Sequence, residues 1–431
     1  MTSGATHGAI EAVWRIESPR LIGGLARMTG DVGLAEDLAQ DALVAALEPW
    51  PSDGVPNNPG AWLMTTAKRR GIDTFRRNER LGRKQAELAH QLETSIQPGL
   101  DAGFDDEVAD RLDDELDDDL LRLIFTCCHP VLAATARVAL TLRVLGGLST
   151  EEIARAFLLS EATVAQRIVR AKRTLAKAEV PFEVPSPSER PERLASVLEV
   201  IYLIFNEGYS ATAGDDWMRP TLCAEALRLG RILAGLAPAE SEVHGLVALM
   251  EIQASRTAAR TAEDGTPILL LEQNRRLWDQ LLIRRGFAAI ARAQALGRGA
   301  GPYLLQAELA ACHARAHRAE ETDWLRIVTL YEQLGALTPS PVVELNRAVA
   351  VGMSGDPGHA LQIVDQLVAT AGLNGYHLLP SVRGDLLARL GRFEEAGQAF
   401  SLAATQTRNT REQAMLRERA ASCAARSGSG Q

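Results

Sequence analysis

The 431-residue chain has little of several residue types that define particular classes of protein. Its five cysteines are odd in number and lack CxxC spacing, which disfavours a disulfide framework or a zinc ribbon and predicts reduced, mostly buried thiols. Lysine occurs at only four positions, so arginine supplies most of the positive charge. No apolar run reaches the roughly 20 residues of a membrane span, and residues 1–17 lack the pattern of a secretory signal. We therefore expect a soluble, cytoplasmic protein with no membrane partner.

Sequence patterns that indicate catalysis are also lacking. The chain has no Gly-rich phosphate loop, no HExxH or GxSxG motif and no paired carboxylates with a base beside them. His313 and His317 have a spacing that zinc can use, but no third ligand is evident and a polar surface is the simpler interpretation. Cys127 and Cys128 lie in an apolar context that favours core packing over a metal or redox site. We expect no enzymatic activity, no cofactor and no metal site.

Charge is unevenly distributed along a chain that carries 46 basic and 55 acidic side chains. Residues 62–84 contain eight basic and two acidic residues, a net charge of +6, and a stretch this basic suits a polyanionic partner. Residues 101–119 contain eleven acidic residues and one arginine, a net charge of −10. Like charges repel, so we interpret this acidic block as part of an extended, solvated linker that is helical at most in part.

The distribution of apolar residues predicts an all-α fold. Apolar residues recur at three- and four-residue spacing almost throughout, and no alternating strand pattern of useful length occurs. Breaks rich in Pro, Gly, Asp and Ser divide the chain into segments. The predicted segments are an N-terminal helical unit (1–86), the acidic linker (87–119), a second helical unit (120–180), a helical extension (181–300) and helical repeats (301–431).

A weak internal repeat occurs near the C-terminus at an offset of 36 residues. Gly355, Ala360 and Val364 correspond to Gly391, Ala396 and Phe400. Small residues at such places permit close helix crossings, which is typical of helix-pair solenoids such as tetratricopeptide repeats. A third, more degenerate unit is predicted over residues 302–337, where two amphipathic helices precede Pro339.

Residues 136–176 show a helix-turn-helix pattern. A helix that ends at Gly146-Gly147 is followed by a short helix, a tight turn and a final basic helix; Ser149 with Glu152 forms a capping box, and Ser160 can cap the last helix. On that last helix Val164, Ile168 and Leu175 are predicted to pack inward, leaving Thr163, Gln166, Arg167, Arg170 and Arg173 on outward or flanking positions. The alternative is a generic helical hairpin with a solvated basic face.

Two further patterns lie nearer the N-terminus. Residues 34–48 (LAEDLAQDALVAALE) predict an amphipathic helix, with Glu36 among the acidic and amide residues away from its apolar face. Taken alone, this is a surface helix. After a loop rich in Pro and Asn, the run AWLMTTAKRRGIDTFRRNERL predicts a helix that Trp62 and Leu63 anchor and whose far end is strongly basic.

This order of motifs resembles bacterial sigma-70-type factors of the extracytoplasmic-function group. DLAQDAL, a loop, WL with TTAKRRGIDTFRR, an acidic spacer and a basic helix-turn-helix correspond to region two over about 10–85 and region four over about 120–178. DDLLRLIFTCCHP and FNEGYSAT are similar to the subgroup with a fused tetratricopeptide-like extension. A departure is Leu159, since many such turns have Gly there.

The resemblance implies three sets of contacts. Docking on the clamp coiled coil of core RNA polymerase is implied for Asp37, Leu38, Gln40, Asp41 and Leu43. Engagement of the minus-10 promoter element is implied for Trp62, Lys68, Arg69, Arg70, Asp73, Arg76 and Arg77, with an unstacked base captured near the loop 50–59. Recognition of the minus-35 element is implied for Thr163, Gln166, Arg167, Arg170 and Arg173.

The favoured hypothesis is therefore a sigma factor whose partners are core RNA polymerase and promoter DNA. A second hypothesis is a helix-turn-helix regulator with a repeat-type sensor that binds DNA by itself, and a third treats the C-terminal half as an adaptor for a protein or peptide. Within the first hypothesis we expect the C-terminal half to replace a separate anti-sigma factor. A regulatory protein or peptide on the repeats is a further expected partner, and the sequence does not set whether the domain inhibits or enables activity.

Overall fold

A computed structural model describes residues 3–77, 106–209, 218–262, 266–370, 373, 375–407 and 409–428, with side chains for all of these except 3–7, 11, 73–77, 106–116 and 428. Within these ranges every regular element is a helix, and the one strand-like feature is an isolated bridge between Thr261 and Pro267. The predicted all-α fold is confirmed.

Contacts divide the chain into a first unit, Met1–Leu203, and a second unit, Ile204–Gln431. The described helices of the first unit are α1 (Ser3–Thr29), α2 (Val32–Ala46), α3 (Trp50–Asp53), α4 (Pro59–Arg77), α5 (Asp106–Cys127), α6 (Ala134–Val144), α7 (Thr150–Phe157), α8 (Glu161–Lys177) and the first part of α9 (Arg190–Tyr209). Arg193 of α9 donates to the carbonyl oxygen of Phe125 at 2.9 Å, and Arg137 pairs with Glu199 at 2.9 Å. These contacts tie the start of α9 to α5 and α6.

The amino-terminal part of the first unit is a helical bundle. α1 packs against α2, α4 and α5, and α2 packs against α4. Leu25, Ala39, Leu63 and Leu123, one from each of these four helices, have no exposed surface. Burial of each leucine contributes about 1.5–3 kcal/mol, so the contacts between these helices stabilise the bundle.

The last residue of the acidic block, Asp119, is packed in the bundle, which corrects the prediction of a solvated linker at this position; for the residues before Asp117 the linker stays a prediction. The block continues into α5, and Asp119 is 1% exposed. Its carboxylate lies 3.0 Å from Arg27 of α1 and 2.6 Å from Arg122. A Cβ on Gly23 of α1 would approach the backbone carbonyl carbon of Asp119 to 3.1 Å, so the glycine permits a close helix crossing.

The second unit contains the remaining helices. They are the end of α9, α10 (Pro220–Leu236), α11 (Ser241–Ala254), α12 (Gln280–Ala295), α13 (Pro302–Arg315), α14 (Trp324–Leu337), α15 (Pro341–Met353), α16 (Pro357–Ala369), α17 (Leu378–Arg389), α18 (Phe393–Gln406) and α19 (Thr410–Gly428). Short 3-10 helices lie at Thr257–Ala259, Arg275–Leu277 and Ala319–Glu321. From α14 onward each helix packs chiefly on the helices before and after it.

Residues matched by the 36-residue repeat occupy equivalent places. Gly355 and Gly391 both have positive φ, 118° and 76°, in the turns before α16 and α18. One helical turn later Ala360 and Ala396 are both 0% exposed. The small side chains lie where successive helices cross, as the pattern predicts. The tetratricopeptide-like assignment itself stays a prediction.

Candidate functional site

The helix-turn-helix is built by local capping. The hydroxyl of Ser149 accepts from the backbone N–H of Glu152 at 3.1 Å, and the Glu152 carboxylate accepts from the Ser149 N–H at 2.8 Å. The Ser160 hydroxyl accepts from the N–H of Thr163 at 3.2 Å. Each such cap contributes about 1 kcal/mol, so both helix starts are set by the sequence. These predicted caps are present.

The turn between α7 and α8 is closed by a leucine in the left-handed conformation. Leu158 has φ 51° and ψ 44°, and its side chain is 57% exposed. The non-glycine residue in the left-handed position of the turn is therefore Leu158, one residue before Leu159, at which the sequence indicates the departure from glycine. A left-handed residue other than glycine costs about 1–2 kcal/mol, which the two flanking caps offset.

The helix α8 separates an inner from an outer face as predicted. Val164, Ile168 and Leu175 are 1%, 6% and 6% exposed. On the other side Gln166, Arg170 and Arg173 are exposed, while Thr163 and Arg167 are half-buried. All five proposed base-reading and phosphate-contacting residues therefore keep accessible surface on one helix.

The five residues expected to dock on polymerase lie on α2 with different exposure. Asp31 caps this helix, and its carboxylate accepts from the N–H groups of Gly33 and Leu34 at 2.6 and 3.1 Å. Asp37 and Asp41 are exposed, and Gln40 and Leu43 are half-buried. Leu38 is 3% exposed and belongs to the bundle core, so any effect on docking is exerted through the position of α2.

Glu36 is buried, which corrects its expected place on the polar side of α2. It is 3% exposed, and its carboxylate lies 2.7 Å from Nε of Arg143 in α6 and 2.6 Å from Nζ of Lys172 in α8. The amide of Gln40 also donates to it at 2.6 Å. We name Glu36, Arg143 and Lys172 the Glu36 clasp. It joins the predicted polymerase-docking helix to two helices of the helix-turn-helix region.

Lys172 of the Glu36 clasp also lies near the exposed carboxylate of Asp37. Nζ of Lys172 lies 3.8 Å from Asp37 Oδ1. Partial desolvation raises the pKa of the exposed Asp37 carboxyl group, and the nearby Lys172 charge partly opposes that rise. No pattern in the sequence predicts the clasp, because its partners are 107 and 136 residues away from Glu36. The scarcity of lysine, with Lys172 one of four, is the only signal that marks one of its members.

The basic helix α4 packs by its apolar residues and leaves basic residues on its accessible side. Leu63 and Ala67 are 0% exposed and Ile72 is 7% exposed. Arg69 is exposed, and Lys68 and Arg70 are half-buried. Burial, together with the charge of Arg27, lowers the pKa of Lys68. Asp73, Arg76 and Arg77 lie on α4, but their side chains lie outside the described residues.

Two tryptophans connect α4 to the preceding loop. Trp62 is half-buried, and its ring centroid lies 5.2 Å from that of Trp50, with the planes inclined by 59°. Trp50 is 2% exposed, whereas the adjoining residues 51–54 are exposed. The buried Trp50 thus anchors an accessible loop beside the basic helix.

The cysteines behave as packing residues. All five are free and buried, as predicted. Burial raises the pKa of Cys127 well above its usual value and that of Cys128 to about 11, so both remain protonated thiols near neutral pH. The described residues contain no group of three or more His, Cys, Asp or Glu arranged to hold a metal ion. None of the helices in the described ranges is both long and apolar enough to span a membrane.

Comparisons with known proteins divide the chain into three matched parts. Residues 14–81 match the family described as Sigma-70 region 2, and residues 122–175 match Sigma-70, region 4. Residues 193–294 match a family of unknown function (DUF6596). An uncharacterized protein (R00370) of Rhizobium meliloti (strain 1021) is 45% identical over 411 residues, 93% of this chain and 92% of that protein. The two sigma-70 matches contain α2 with α4, and α7 with α8.

Proposed function

The chain belongs to the sigma-70 family of RNA polymerase sigma factors, and from this premise we propose that it is an extracytoplasmic-function-type factor controlled by its own C-terminal half. Regions 2 and 4 give it a role in promoter recognition and transcription initiation. The observation that carries the finer proposal is that α4 and α8 both present basic side chains at accessible positions, in the order that a two-part promoter requires.

We assign polymerase docking to α2. Asp37 and Asp41 are exposed carboxylates four residues apart, and therefore lie on one side of the helix. Gln40 and Leu43 border them with partly accessible side chains. This mixture of acidic and amide groups beside an apolar side chain suits a basic, partly apolar helical partner. Leu38 acts from the core by holding α2 in place.

We assign the minus-10 element to α4 and the loop before it. Extruding a base from the duplex costs a few kcal/mol, which stacking and phosphate contacts must offset. Trp62 contacts Trp50, which the exposed residues 51–54 follow in the chain, and Lys68, Arg69 and Arg70 come about two turns after Trp62 on the same helix. Asp73, Arg76 and Arg77 are proposed to extend this surface.

We assign the minus-35 element to α8. Thr163, Gln166 and Arg167 are near the helix start, where a helix placed in the major groove reads base edges. Arg170 and Arg173 lie further along and suit phosphate contacts or guanine edges. A bidentate arginine contact discriminates by about 1–3 kcal/mol, which is enough for sequence preference.

The C-terminal half is proposed as an internal regulator. It is a separate compact unit of more than two hundred residues, Ile204–Gln431, attached to the two sigma regions in one chain. Its successive helices pack on their neighbours, an arrangement that offers an extended surface to a protein or peptide. Such a unit can replace a separate regulatory partner.

Promoter binding with and without polymerase tests the proposal. Fluorescence anisotropy of a labelled fragment from upstream of the chain's own gene is measured with core RNA polymerase alone, with the protein alone and with both, at fixed ionic strength because phosphate contacts depend on salt. High-affinity, sequence-specific binding is expected only with both. Arg170→Ala should weaken it, whereas Arg284→Ala, an exposed arginine of the second unit, should not.

The same titration separates the proposal from a stand-alone regulator. Tight, sequence-specific binding by the protein without polymerase would contradict a sigma factor and support a helix-turn-helix regulator with a sensor domain.

A further inference from the structure

The second unit contains a cluster of arginines around aromatic rings. Cζ of Arg256, in the turn after α11, lies 5.6 Å from the ring centroid of Trp278 and 5.9 Å from that of Tyr209. Cζ of Arg275 lies 5.1 Å from the Trp278 ring. Arg260 stacks on Tyr209 at 3.5 Å. Three guanidinium groups therefore share a space bounded by two aromatic side chains.

Among the described residues, Arg256 and Arg275 have neutral hydrogen-bond partners, and neither forms an ion pair. Arg256 donates to the amide oxygen of Gln253 at 3.3 Å. Arg275 donates to the carbonyl oxygens of His313 and Ala316, both at 2.6 Å. Both side chains are half-buried, and partly desolvated charges in proteins are normally paired because desolvation of an ion is costly. The charges of Glu320 and Glu321 act on Arg275 from beyond ion-pair distance, so the cluster is only partly compensated.

The pKa of His313 is lowered in part by the positive charge of this cluster. Burial, followed by the charges of Arg256 and Arg275, lowers its pKa to about 4. The ring is therefore neutral at physiological pH. His313 is half-buried with Nδ1 enclosed and is thus less exposed than a polar surface residue, whereas His317, beyond the end of α13, is exposed as expected.

Unpartnered polar atoms concentrate at the same place. Buried side-chain atoms without a hydrogen-bond partner among the described residues include Nε of Arg256, Nε of Arg275, Nε1 of Trp278, Nδ1 of His313 and Oη of Tyr209. Each of these atoms can donate a hydrogen bond, His313 Nδ1 in one tautomer. Buried donors without partners are uncommon in proteins, and their accumulation around one pair of aromatic rings favours an acceptor that they share.

We propose that this set, Tyr209, Arg256, Arg275, Trp278 and His313, is a binding site for the phosphate group of a small ligand. A phosphate group carries about −1.5 to −2 charges at neutral pH and several acceptor oxygens, which match two cations that form no ion pair with the described residues and donors on five different side chains. A carboxylate supplies one charge and two oxygens, and matches this set less well.

The position of the site gives it a regulatory consequence. Tyr209 ends α9, Arg256 follows α11, Trp278 precedes α12 and His313 belongs to α13. Four of the five residues lie in the segment that matches the family of unknown function, and His313 lies in the first helix pair after it. A bound phosphate would hold these elements together, so occupancy would stabilise the second unit. This inference does not depend on the sigma-factor proposal.

Thermal unfolding of the full-length protein tests the site, with inorganic phosphate as the probe. Sodium phosphate, sodium acetate and sodium chloride are compared at equal ionic strength. Phosphate is expected to raise the midpoint with the logarithm of its concentration above the Kd, by about 5–10 °C at a hundredfold excess over the Kd, and acetate to raise it less. Equal shifts in phosphate and chloride would overturn the proposal.

Neighbouring arginines provide the matched pair of variants. Arg256→Gln removes one unpaired cation and should abolish the phosphate-dependent shift, whereas Arg276→Gln, an exposed arginine beside Arg275, should retain it. Retention of the full shift in Arg256→Gln would contradict the assignment.

A measurement on the unmodified protein covers the case in which Arg256→Gln does not fold. The pKa of His313 is followed by NMR with and without phosphate. A bound anion offsets the charges of Arg256 and Arg275, so the pKa should rise from about 4 toward its ordinary value. An unchanged His313 pKa at saturating phosphate would overturn the proposal.

Discussion

The Glu36 clasp predicts an energetic link between α2 and the helix-turn-helix. The Glu36 side chain is 4% exposed, and those of Arg143 and Lys172 are 24% and 20% exposed. Glu36→Gln keeps the shape of the side chain but leaves Arg143 without its counter-charge and Lys172 with only the more distant carboxylate of Asp37, 3.8 Å away. Removal of one partner of a buried ion pair costs about 3–5 kcal/mol, and the partial exposure of both cations places the expected loss near the lower end, about 3 kcal/mol.

Hydrogen exchange of the full-length protein measures this loss where it occurs. Amides of α2, α6 and α8 exchange through local opening, and about 1.4 kcal/mol corresponds to a tenfold change in an equilibrium constant. Glu36→Gln should therefore accelerate exchange in these helices by about 100-fold. Helices α16 to α18 of the second unit should be unaffected.

A lysine on the same helix supplies the control. Lys177 is exposed and Lys172 is in the clasp, so Lys177→Met should leave exchange unchanged whereas Lys172→Met should accelerate it. The double variant Glu36→Gln, Lys172→Met should be less destabilised than the sum of the single variants, because both remove one shared interaction. Exchange in Glu36→Gln equal to that in Lys177→Met would refute the clasp.

Three other predictions concern the turn, the DNA-facing helix and the thiols. Leu158→Gly removes the conformational cost of a left-handed leucine, and the added freedom of the unfolded chain partly offsets this gain. The variant should stabilise α7 and α8 by about 0.5 kcal/mol, measured by hydrogen exchange. A loss of protection in these helices would contradict the strain argument. Arg173→Ala should lower holoenzyme affinity for the promoter about tenfold and reduce its salt dependence, and an unchanged salt slope would remove Arg173 from the interface. All five cysteines are buried, and burial raises the pKa of Cys128 to about 11. A thiol reagent at pH 8 should therefore modify none of them rapidly in the native protein and all five after unfolding. Rapid modification of the native protein would contradict their burial.

Features of the structure that depend on neighbours in sequence were predictable. The capping box of Ser149 and Glu152, the cap at Ser160 and the two faces of α8 each depend on spacings of three or four residues. The helix boundaries around the Pro339 break follow from the same local rules, since α14 ends at Leu337 and α15 begins at Pro341. Here local propensity and the fold agree.

Features that depend on distant partners were not predictable. Glu36 has the residue type and spacing of a solvated side chain, and only the approach of Arg143 and Lys172 buries it. Asp119 belongs to an acidic block by composition, yet α1 places Arg27 against it. His313 is half-buried with its Nδ1 enclosed, and burial followed by the charges of Arg256 and Arg275 lowers its pKa. In all three cases, contacts with residues distant in sequence reduce the solvent exposure of the side chain below what its residue type predicts.

Run-off transcription with purified core RNA polymerase tests the central claim most directly. The template is the region upstream of the chain's own gene, and the full-length protein is compared with residues 1–203, which form the first unit and keep the contacts of α9 with α5 and α6. Transcripts that start at one site and require the added protein are the predicted result, and a difference between the two forms would show the sign of the C-terminal control. Absence of a protein-dependent transcript with either form, on a template that the protein binds specifically without polymerase, would contradict the sigma-factor account.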